Sequence, residues 1–331
     1  MAASETHRPV YFPLQDLVRF LAVIGVVWLH VTYHGALITW AELGRFAVPF
    51  FAGSGVYLAY GSLGRHGDVS MLQYAHARFR RVYLVFLGWS VIYLGVRWAN
   101  ALLVSHTGTV HTTLIDFIWN GEAFHLWFLP FIFLATIGAF ALAKLVRALP
   151  WIRVPLAMIL FALGLMLALY RVPHVVPQIG YAALLSYESL PACCMALALA
   201  LVEICFNGPV NMPRLVFGSL LVVLWLVGGL MLDLQDNRAL TTFAGFGFLL
   251  LSLGWSTTAR MPVIAHLGSI SFGIYLVHLL FVETIYQLLP RIGVDDKHTI
   301  TQLAVFAVAV AGSVALVELL RVQKWTRWLL G

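Results

Sequence analysis

The chain has 331 residues, of which 61% are hydrophobic and 10% are charged, and its formal net charge is +6. Because soluble domains carry about 25% charged residues, this composition excludes a soluble globular protein and indicates an integral membrane protein. In a membrane protein the distribution of Lys and Arg among the loops is more informative than the total positive charge, so nucleic acid is not expected as a partner.

Repeated runs of about 20 apolar residues predict an all-α bundle of about ten transmembrane helices. We place them at 14–34, 44–63, 79–104, 125–148, 154–170, 190–206, 214–232, 239–257, 263–289 and 302–320. The first run lacks a small-residue cleavage site and is interpreted as a retained helix. No segment is long enough for a separate soluble domain, so residues 1–331 are predicted to form one membrane-embedded domain.

Lys and Arg are unevenly distributed between the two sides of this bundle. With a cytoplasmic N-terminus, thirteen of the twenty basic residues fall on the inside. They are Arg8, Arg65, Arg78, Arg80, Arg81, Lys144, Arg147, Arg153, Arg214, Arg260, Arg321, Lys324 and Arg327. The positive-inside rule therefore predicts that both termini are cytoplasmic.

The first helix carries Arg19 and His30, and ionisable residues at membrane depth indicate a functional site. Eleven residues separate them, which returns both to nearly the same helix face about 16 Å apart along the axis. A long anionic molecule could therefore contact both side chains. Coenzyme A has that shape, with phosphates suited to an arginine and a thin arm reaching a histidine base.

A purely structural interpretation of the first helix remains open from spacing alone. Arg19 could snorkel to the interface or pair with Asp16, and His30 could bond a backbone carbonyl. His34 follows His30 by one turn, but no third ligand stands at a diagnostic spacing, so no metal is expected.

Two further segments could bind the same donor. In the second helix, Gly53, Ser54 and Gly55 either allow close helix packing or open a slot for a narrow acyl-pantetheine arm. Ahead of the third helix, Arg78 and Arg81 either fix topology and meet anionic lipid or clamp phosphates beside Arg19.

The fourth and ninth helices add polar residues on the outer half. His125 and Trp127 open the fourth helix, as interface anchors or as walls of an acceptor pocket. In the ninth, Ser271, Tyr275 and His278 step along one side at spacings of four and three.

Glu283, which follows them, is predicted to lie in the same half of the membrane as His30. A carboxylate often orients a catalytic imidazole, so Glu283 is a candidate partner of His30.

Several of these segments together resemble motifs of the acyltransferase-3 family of bacterial membrane acyltransferases. In chain order they are Leu14 to Arg19 with His30, Phe50-Phe51 with Ser54-Gly55, Arg78 to Arg81, His125 to Leu129, and Ser271 to His278. The chain departs from the family pattern at Gln15, at Leu17-Val18 and at Phe272, and none of these touches the proposed chemistry.

The resemblance implies an O-acyltransferase of the stand-alone polysaccharide O-acetyltransferase type in the cytoplasmic (inner) membrane of a bacterium. It implies that Arg19 binds the coenzyme and that His30 is catalytic, with acetyl-CoA or another acyl-CoA as the donor. Arg78, Arg81, Ser54 and Ser271 are expected to bind the donor as well.

The expected acceptor is a hydroxyl of a cell-surface or lipid-linked glycan. The residues expected to bind it are His125, Trp127, Tyr275 and His278. Membrane lipid is expected to surround the bundle. Two rival interpretations are a secondary transporter of a small anionic solute and a membrane subunit of a polysaccharide export complex.

Overall fold

Ten long helices dominate the part of the chain that the computed structural model describes, which is residues 11–32, 35, 37–66, 69–102, 113–169, 181–202, 210–231 and 238–331. They are α1 (Pro13–Thr32), α2 (Ala47–His66), α3 (Met71–Asn100), α4 (Phe128–Ala148), α5 (Arg153–Leu169), α6 (Tyr181–Val202), α7 (Met212–Met231), α8 (Arg238–Ser252), α9 (Pro262–Leu288) and α10 (Thr299–Val322).

Short helical turns lie between them, at Ile38–Ala41, Glu42–Gly44, Leu114–Trp119, Phe124–Trp127, Pro150–Ile152 and Leu289–Ile292, and one more, Arg327–Leu330, follows α10. His34 and Cys205 lie outside the described residues.

The all-helical membrane fold predicted from composition is confirmed. Within the described residues, eight helices are long and apolar enough to cross a membrane, while α6 and α8 contribute the shorter apolar stretches Ser189–Val202 and Ala239–Ser252. The same residues contain no strand, and their only β pairings are the isolated bridges Tyr11 to Thr257 and Val210 to Trp255.

Helix α3 begins eight residues earlier than predicted, so the loop before it is shorter than the sequence suggested. The Ser70 hydroxyl accepts a hydrogen bond from the Gln73 amide at 3.1 Å, and the Gln73 side chain accepts one from the Ser70 amide at 2.9 Å. This reciprocal capping box starts a helix in a polar segment that an apolar-run criterion passes over. The predicted start of the third helix at residue 79 is therefore wrong.

Helix α1 packs mainly against α9 and also contacts α2, α8 and α10. Its buried face is made of small and β-branched residues, namely Val18, Ala22, Val23, Val26, Val27 and Val31. A Cβ added at Gly268 of α9 would lie 2.4 Å from Asp16 Oδ1, so the two helices approach closely near the start of α1. The part of the bundle near Arg19 is called the arginine end below, and the part near His30 the histidine end.

Candidate active site

A cavity of about 320 Å³ at the arginine end brings residues from five helices together. Its lining includes all five residues expected to bind the donor, namely Arg19, Arg78, Arg81, Ser54 and Ser271. Tyr275 and Phe128 also line it, and both are apolar in body. The cavity thus combines three cationic side chains with aromatic walls, and we call it the donor cavity after the role that the sequence predicts for these residues.

Arg81 reaches the donor cavity from a π-helical turn, Phe79–Tyr83, that interrupts α3, and Arg78 reaches it from the position just before that turn. π-turns inside α-helices are rare and change the direction of the side chains around them. Tyr74 fixes Arg78, because its hydroxyl lies 3.0 Å from Arg78 Nε and the guanidinium lies 5.3 Å from the ring centroid. The Tyr74 ring is itself stacked on Phe140 at 4.0 Å.

Arg19 pairs with Asp16, as one interpretation of the sequence expected, and it also lines the donor cavity. Its Nη1 lies 3.4 Å from Asp16 Oδ1, so the pair one turn apart exists. The same side chain lines the donor cavity together with Gly268 of α9. The Asp16 carboxylate therefore holds Arg19 in place without removing it from the cavity.

The small residues of α2 divide between packing and the cavity. A Cβ at Gly53 would lie 3.4 Å from the Ala192 carbonyl oxygen, so this position faces α6. Ser54 and Gly55 line the donor cavity, and a Cβ at Gly55 would lie 2.6 Å from Ile132 Cδ1. Gly55 therefore lines the cavity and also lets Ile132 of α4 approach closely.

Three histidines from separate helical segments meet at the histidine end. The ring centroids of His30 and His278 lie 5.2 Å apart with planes inclined by 17°, and those of His125 and His278 lie 5.0 Å apart. Phe124 packs edge-on against His30 at 4.8 Å. His125 and His278 are buried, whereas His30 is partly exposed beside the exposed Phe124. These three imidazoles are called the histidine cluster below.

Buried ring nitrogens in the histidine cluster are available to a ligand. The Nδ1 atom of His278 lies 2.7 Å from the Tyr275 carbonyl oxygen, which only accepts, so in the neutral ring Nδ1 carries the proton and Nε2 carries a lone pair. Among the described residues, His278 Nε2 has no hydrogen-bond partner, and the His125 ring makes at most a weak contact with the backbone of Leu276 that falls short of hydrogen-bond geometry. Leaving such atoms unsatisfied costs about 1–3 kcal/mol each, so this region suits hydroxyl groups of a substrate.

A tight turn before α4 places His125 in the cluster. Gly121 adopts a left-handed φ of 72°, which a glycine accepts without strain. The adjacent Glu122 carboxylate, buried in the protein, accepts a hydrogen bond from Arg97 Nη1 at 2.5 Å. Tyr93 packs edge-on against the His125 ring at 5.4 Å. The turn is thus anchored to α3 through Glu122 and His125.

Tyr275 connects the donor cavity to the histidine cluster. It lines the cavity, its hydroxyl donates to the His125 carbonyl oxygen, and its ring lies 5.3 Å from the His125 ring. His278 follows one helical turn later. The single side chain of Tyr275 therefore extends from the cavity wall to the histidine cluster.

Two other predicted site residues, Trp127 and Glu283, neither line the donor cavity nor belong to the histidine cluster. Trp127 is buried at the end of the turn before α4 and packs against Phe128 and Phe131 of that helix. Glu283 interacts electrostatically with Arg97. Its predicted pairing with His30 stays a prediction.

Sequence reasoning missed several residues that support the site, namely Tyr74, Tyr93, Phe124 and the Arg97–Glu122 pair. Only Arg97 gave a local signal, as a charge inside an apolar run. The others are ordinary aromatic or loop residues until the fold brings them to the site.

A family model described as an acyltransferase domain, Acyl_transf_3, matches residues 15–320 and so covers nearly the whole chain. No curated protein and no solved structure matches the chain.

Proposed function

Since the chain belongs to the acyltransferase-3 family of membrane acyltransferases, we propose that it is an O-acyltransferase of the cytoplasmic (inner) membrane of a bacterium. It moves an acetyl or other short acyl group from cytoplasmic acyl-CoA to a hydroxyl of a cell-surface or lipid-linked glycan. One observation carries this proposal: the cavity lined by Arg19, Arg78 and Arg81 ends at Tyr275, beside the histidine cluster.

The shape of the donor cavity supports an elongated anionic donor. Guanidinium groups bind phosphate oxygens through paired hydrogen bonds, and three of them surround the arginine end. About 16 Å along α1 separates Arg19 from His30, given a rise of about 1.5 Å per residue. A phosphorylated head at the arginines and a thin thioester arm directed toward His30 would use this whole length.

In the proposed reaction His30 acts as the general base. It takes the proton of the acceptor hydroxyl as that oxygen forms a bond to the thioester carbonyl carbon. The carbon–sulfur bond then breaks, and the departing thiolate receives the proton from His30. His278 Nε2 and His125 offer hydrogen-bonding positions for the acceptor, which is the role proposed for them.

A covalent route through acyl-His30 uses the same residues. His30 would attack the thioester, release coenzyme A as a thiol, and pass the acyl group to the hydroxyl in a second step. Purified protein incubated with radiolabelled acetyl-CoA and no acceptor distinguishes the two routes. Label that remains on a His30 peptide after rapid quenching supports the covalent route, and efficient quenching without label supports direct transfer.

The test of the function is thiol release from acetyl-CoA by purified protein with a membrane glycan extract as acceptor. We expect release by the wild type and by the His76→Gln variant, whose exposed histidine lies in the first turns of α3 away from the cluster. We expect loss of release in His30→Ala with acetyl-CoA binding retained.

Two results would count against the proposal. A wild type that neither binds acetyl-CoA nor releases thiol would contradict the choice of donor. Uptake of an anionic solute into vesicles that depends on a gradient and on His30 would favour the transporter interpretation instead.

A further inference from the structure

A second cavity, of about 420 Å³, lies next to the donor cavity at the arginine end. Its lining includes Ser269, Arg321 and Arg327, contributed by α9, the end of α10 and the turn after it. Gly331 lines both cavities. The two spaces therefore adjoin, and a ligand larger than the donor cavity could extend from one into the other.

The first turns of α9 form the wall between the two cavities. Gly268 and Ser271 line the donor cavity, while Ser269 and Gly273 line the second one. A Cβ at Gly273 would lie 2.8 Å from Val317 Cγ2, so α9 and α10 are in close contact here. The wall is one helix thick, which brings the two sets of arginines to neighbouring positions.

The second cavity carries a positive charge of its own. Arg327 Nε donates to the Arg321 carbonyl oxygen at 2.7 Å, which fixes the two residues in one folded turn. Arg321 Nη1 lies 3.4 Å from Glu318, and that carboxylate also lies 3.2 Å from His266 Nε2. A single carboxylate carries one negative charge, so Glu318 does not fully neutralise the two guanidinium groups.

Coenzyme A carries a diphosphate and, separately, a phosphate monoester on its ribose 3′ oxygen. We infer that Arg321 and Arg327 bind the 3′-phosphate of acyl-CoA in the second cavity while its diphosphate occupies the arginines of the donor cavity. This inference rests on the proposed function. A phosphate monoester carries about −1.5 to −2 charges at pH 7 and has three strong acceptor oxygens, which suits a pair of arginines.

The test compares binding of acetyl-CoA and of 3′-dephospho-acetyl-CoA to the purified full chain in lipid-free detergent. We expect the wild type to bind acetyl-CoA about tenfold more tightly, as charge-assisted hydrogen bonds to one phosphate would give. Arg321→Gln and Arg327→Gln should weaken acetyl-CoA binding, leave dephospho-acetyl-CoA binding unchanged, and so bring the ratio of affinities close to one. The matched control is Lys324→Gln, an exposed charge in the same turn outside the cavity lining, which should keep the ratio.

The ratio is measured within each variant, so partial misfolding does not imitate the effect. A wild type that binds both donors equally well overturns the inference and leaves the proposed function standing, as does an unchanged ratio in both variants. A wild type that binds neither donor contradicts the proposed function itself.

A phosphate in this cavity could also belong to an anionic lipid. Binding is therefore repeated in nanodiscs of neutral lipid and of neutral lipid with phosphatidylglycerol. Variants that lose only their preference for phosphatidylglycerol, with the donor ratio intact, would identify a lipid site and overturn the inference.

Discussion

The imidazole ring of His30 on α1 lies alongside that of His278 on α9, with ring centroids 5.2 Å apart and planes inclined by 17°. The two rings differ in their surroundings. His278 is fully buried and its Nδ1 is bonded to a backbone carbonyl, whereas His30 is partly exposed. This difference suits His30 to proton transfer with an incoming substrate and His278 to holding that substrate.

Substitution of His278 should separate binding from chemistry. In His278→Gln we expect the acceptor KM to rise about tenfold, because one hydrogen bond to the acceptor is lost, with a smaller change in kcat. His30→Ala should instead lower kcat by about 10²–10⁴-fold, the usual contribution of a general base. Steady-state kinetics at varied acceptor concentration gives both constants. A fall in kcat as large as that of His30→Ala would show that His278 takes part in proton transfer.

The residues proposed to bind the donor could be predicted from the sequence more fully than those proposed to bind the acceptor. Arg19 and His30 belong to one helix, so their spacing and helical geometry were sufficient to suggest a common ligand. Arg78 and Arg81 stood out as charges beside an apolar run. The contact between His30 and His278 depends on the packing of α1 against α9, which no local pattern contains.

The sequence also predicted the positions of the helices better than the residues at which they begin. Apolar runs located all ten long helices, because the bilayer requires a fixed length of apolar chain. They missed the first turns of α3, since Ser70 and Gln73 start that helix through polar capping. The π-turn that carries Arg81 into the donor cavity also follows from packing and has no sequence signal of its own.

Exchange of single arginines in α3 should distinguish donor binding from contact with lipid. We expect Arg78→Gln and Arg81→Gln each to raise the acetyl-CoA KM about tenfold, because each loses a charge-assisted contact to phosphate. Arg80→Gln is the matched control, since Arg80 is exposed in the same turn and does not line the cavity. Equal effects of all three substitutions would indicate that the segment acts through lipid or topology.

The support that Tyr74 gives to Arg78 should be measurable as well. Tyr74→Phe removes the hydroxyl bonded to Arg78 Nε but keeps the ring stacked on Phe140. We expect the acetyl-CoA KM to rise by about twofold to tenfold, because Arg78 keeps its charge but loses a hydrogen bond that positions it, with folding preserved. In a Tyr74→Phe, Arg78→Gln double variant the second substitution should add little, because both act on one contact. If the effects of the two substitutions on KM were fully additive, Tyr74 would not act on donor binding through Arg78.

Filling the donor cavity from α2 should block the donor. Gly55→Leu places a branched side chain where a Cβ already lies 2.6 Å from Ile132, so we expect acetyl-CoA binding to fall below detection. Gly64→Leu is the control, because a Cβ there meets nothing within 4 Å. Binding is followed by isothermal titration, and size-exclusion chromatography checks that each variant remains monodisperse. Unchanged affinity in Gly55→Leu would place the donor elsewhere.

The ion pair between Arg97 and Glu122 should stabilise the turn that carries His125. Glu122 is buried and Arg97 is about half exposed, so we expect Glu122→Ala to lower the free energy of unfolding by on the order of 2 kcal/mol. Thermal unfolding in detergent measures this as a lower Tm. Glu122→Gln should cost less, since an amide oxygen still accepts a hydrogen bond from the guanidinium. A Tm equal to that of the wild type in both variants would show that the pair does not anchor the turn.

The distribution of basic residues predicts that the arginine end faces the cytoplasm, where acyl-CoA is available, and this orientation can be measured directly. Trp325 and Ile292 flank α10 at opposite ends and are exposed by 75% and 70%, so a cysteine at either site is accessible to reagents. In a background with Cys193, Cys194 and Cys205 replaced by alanine, we expect a membrane-impermeant maleimide to label Ile292→Cys in intact spheroplasts. Trp325→Cys should react only after the membrane is permeabilised. The reverse pattern would put the arginines of the donor cavity outside the cell, away from acyl-CoA, and so would remove the physical basis for a cytoplasmic donor.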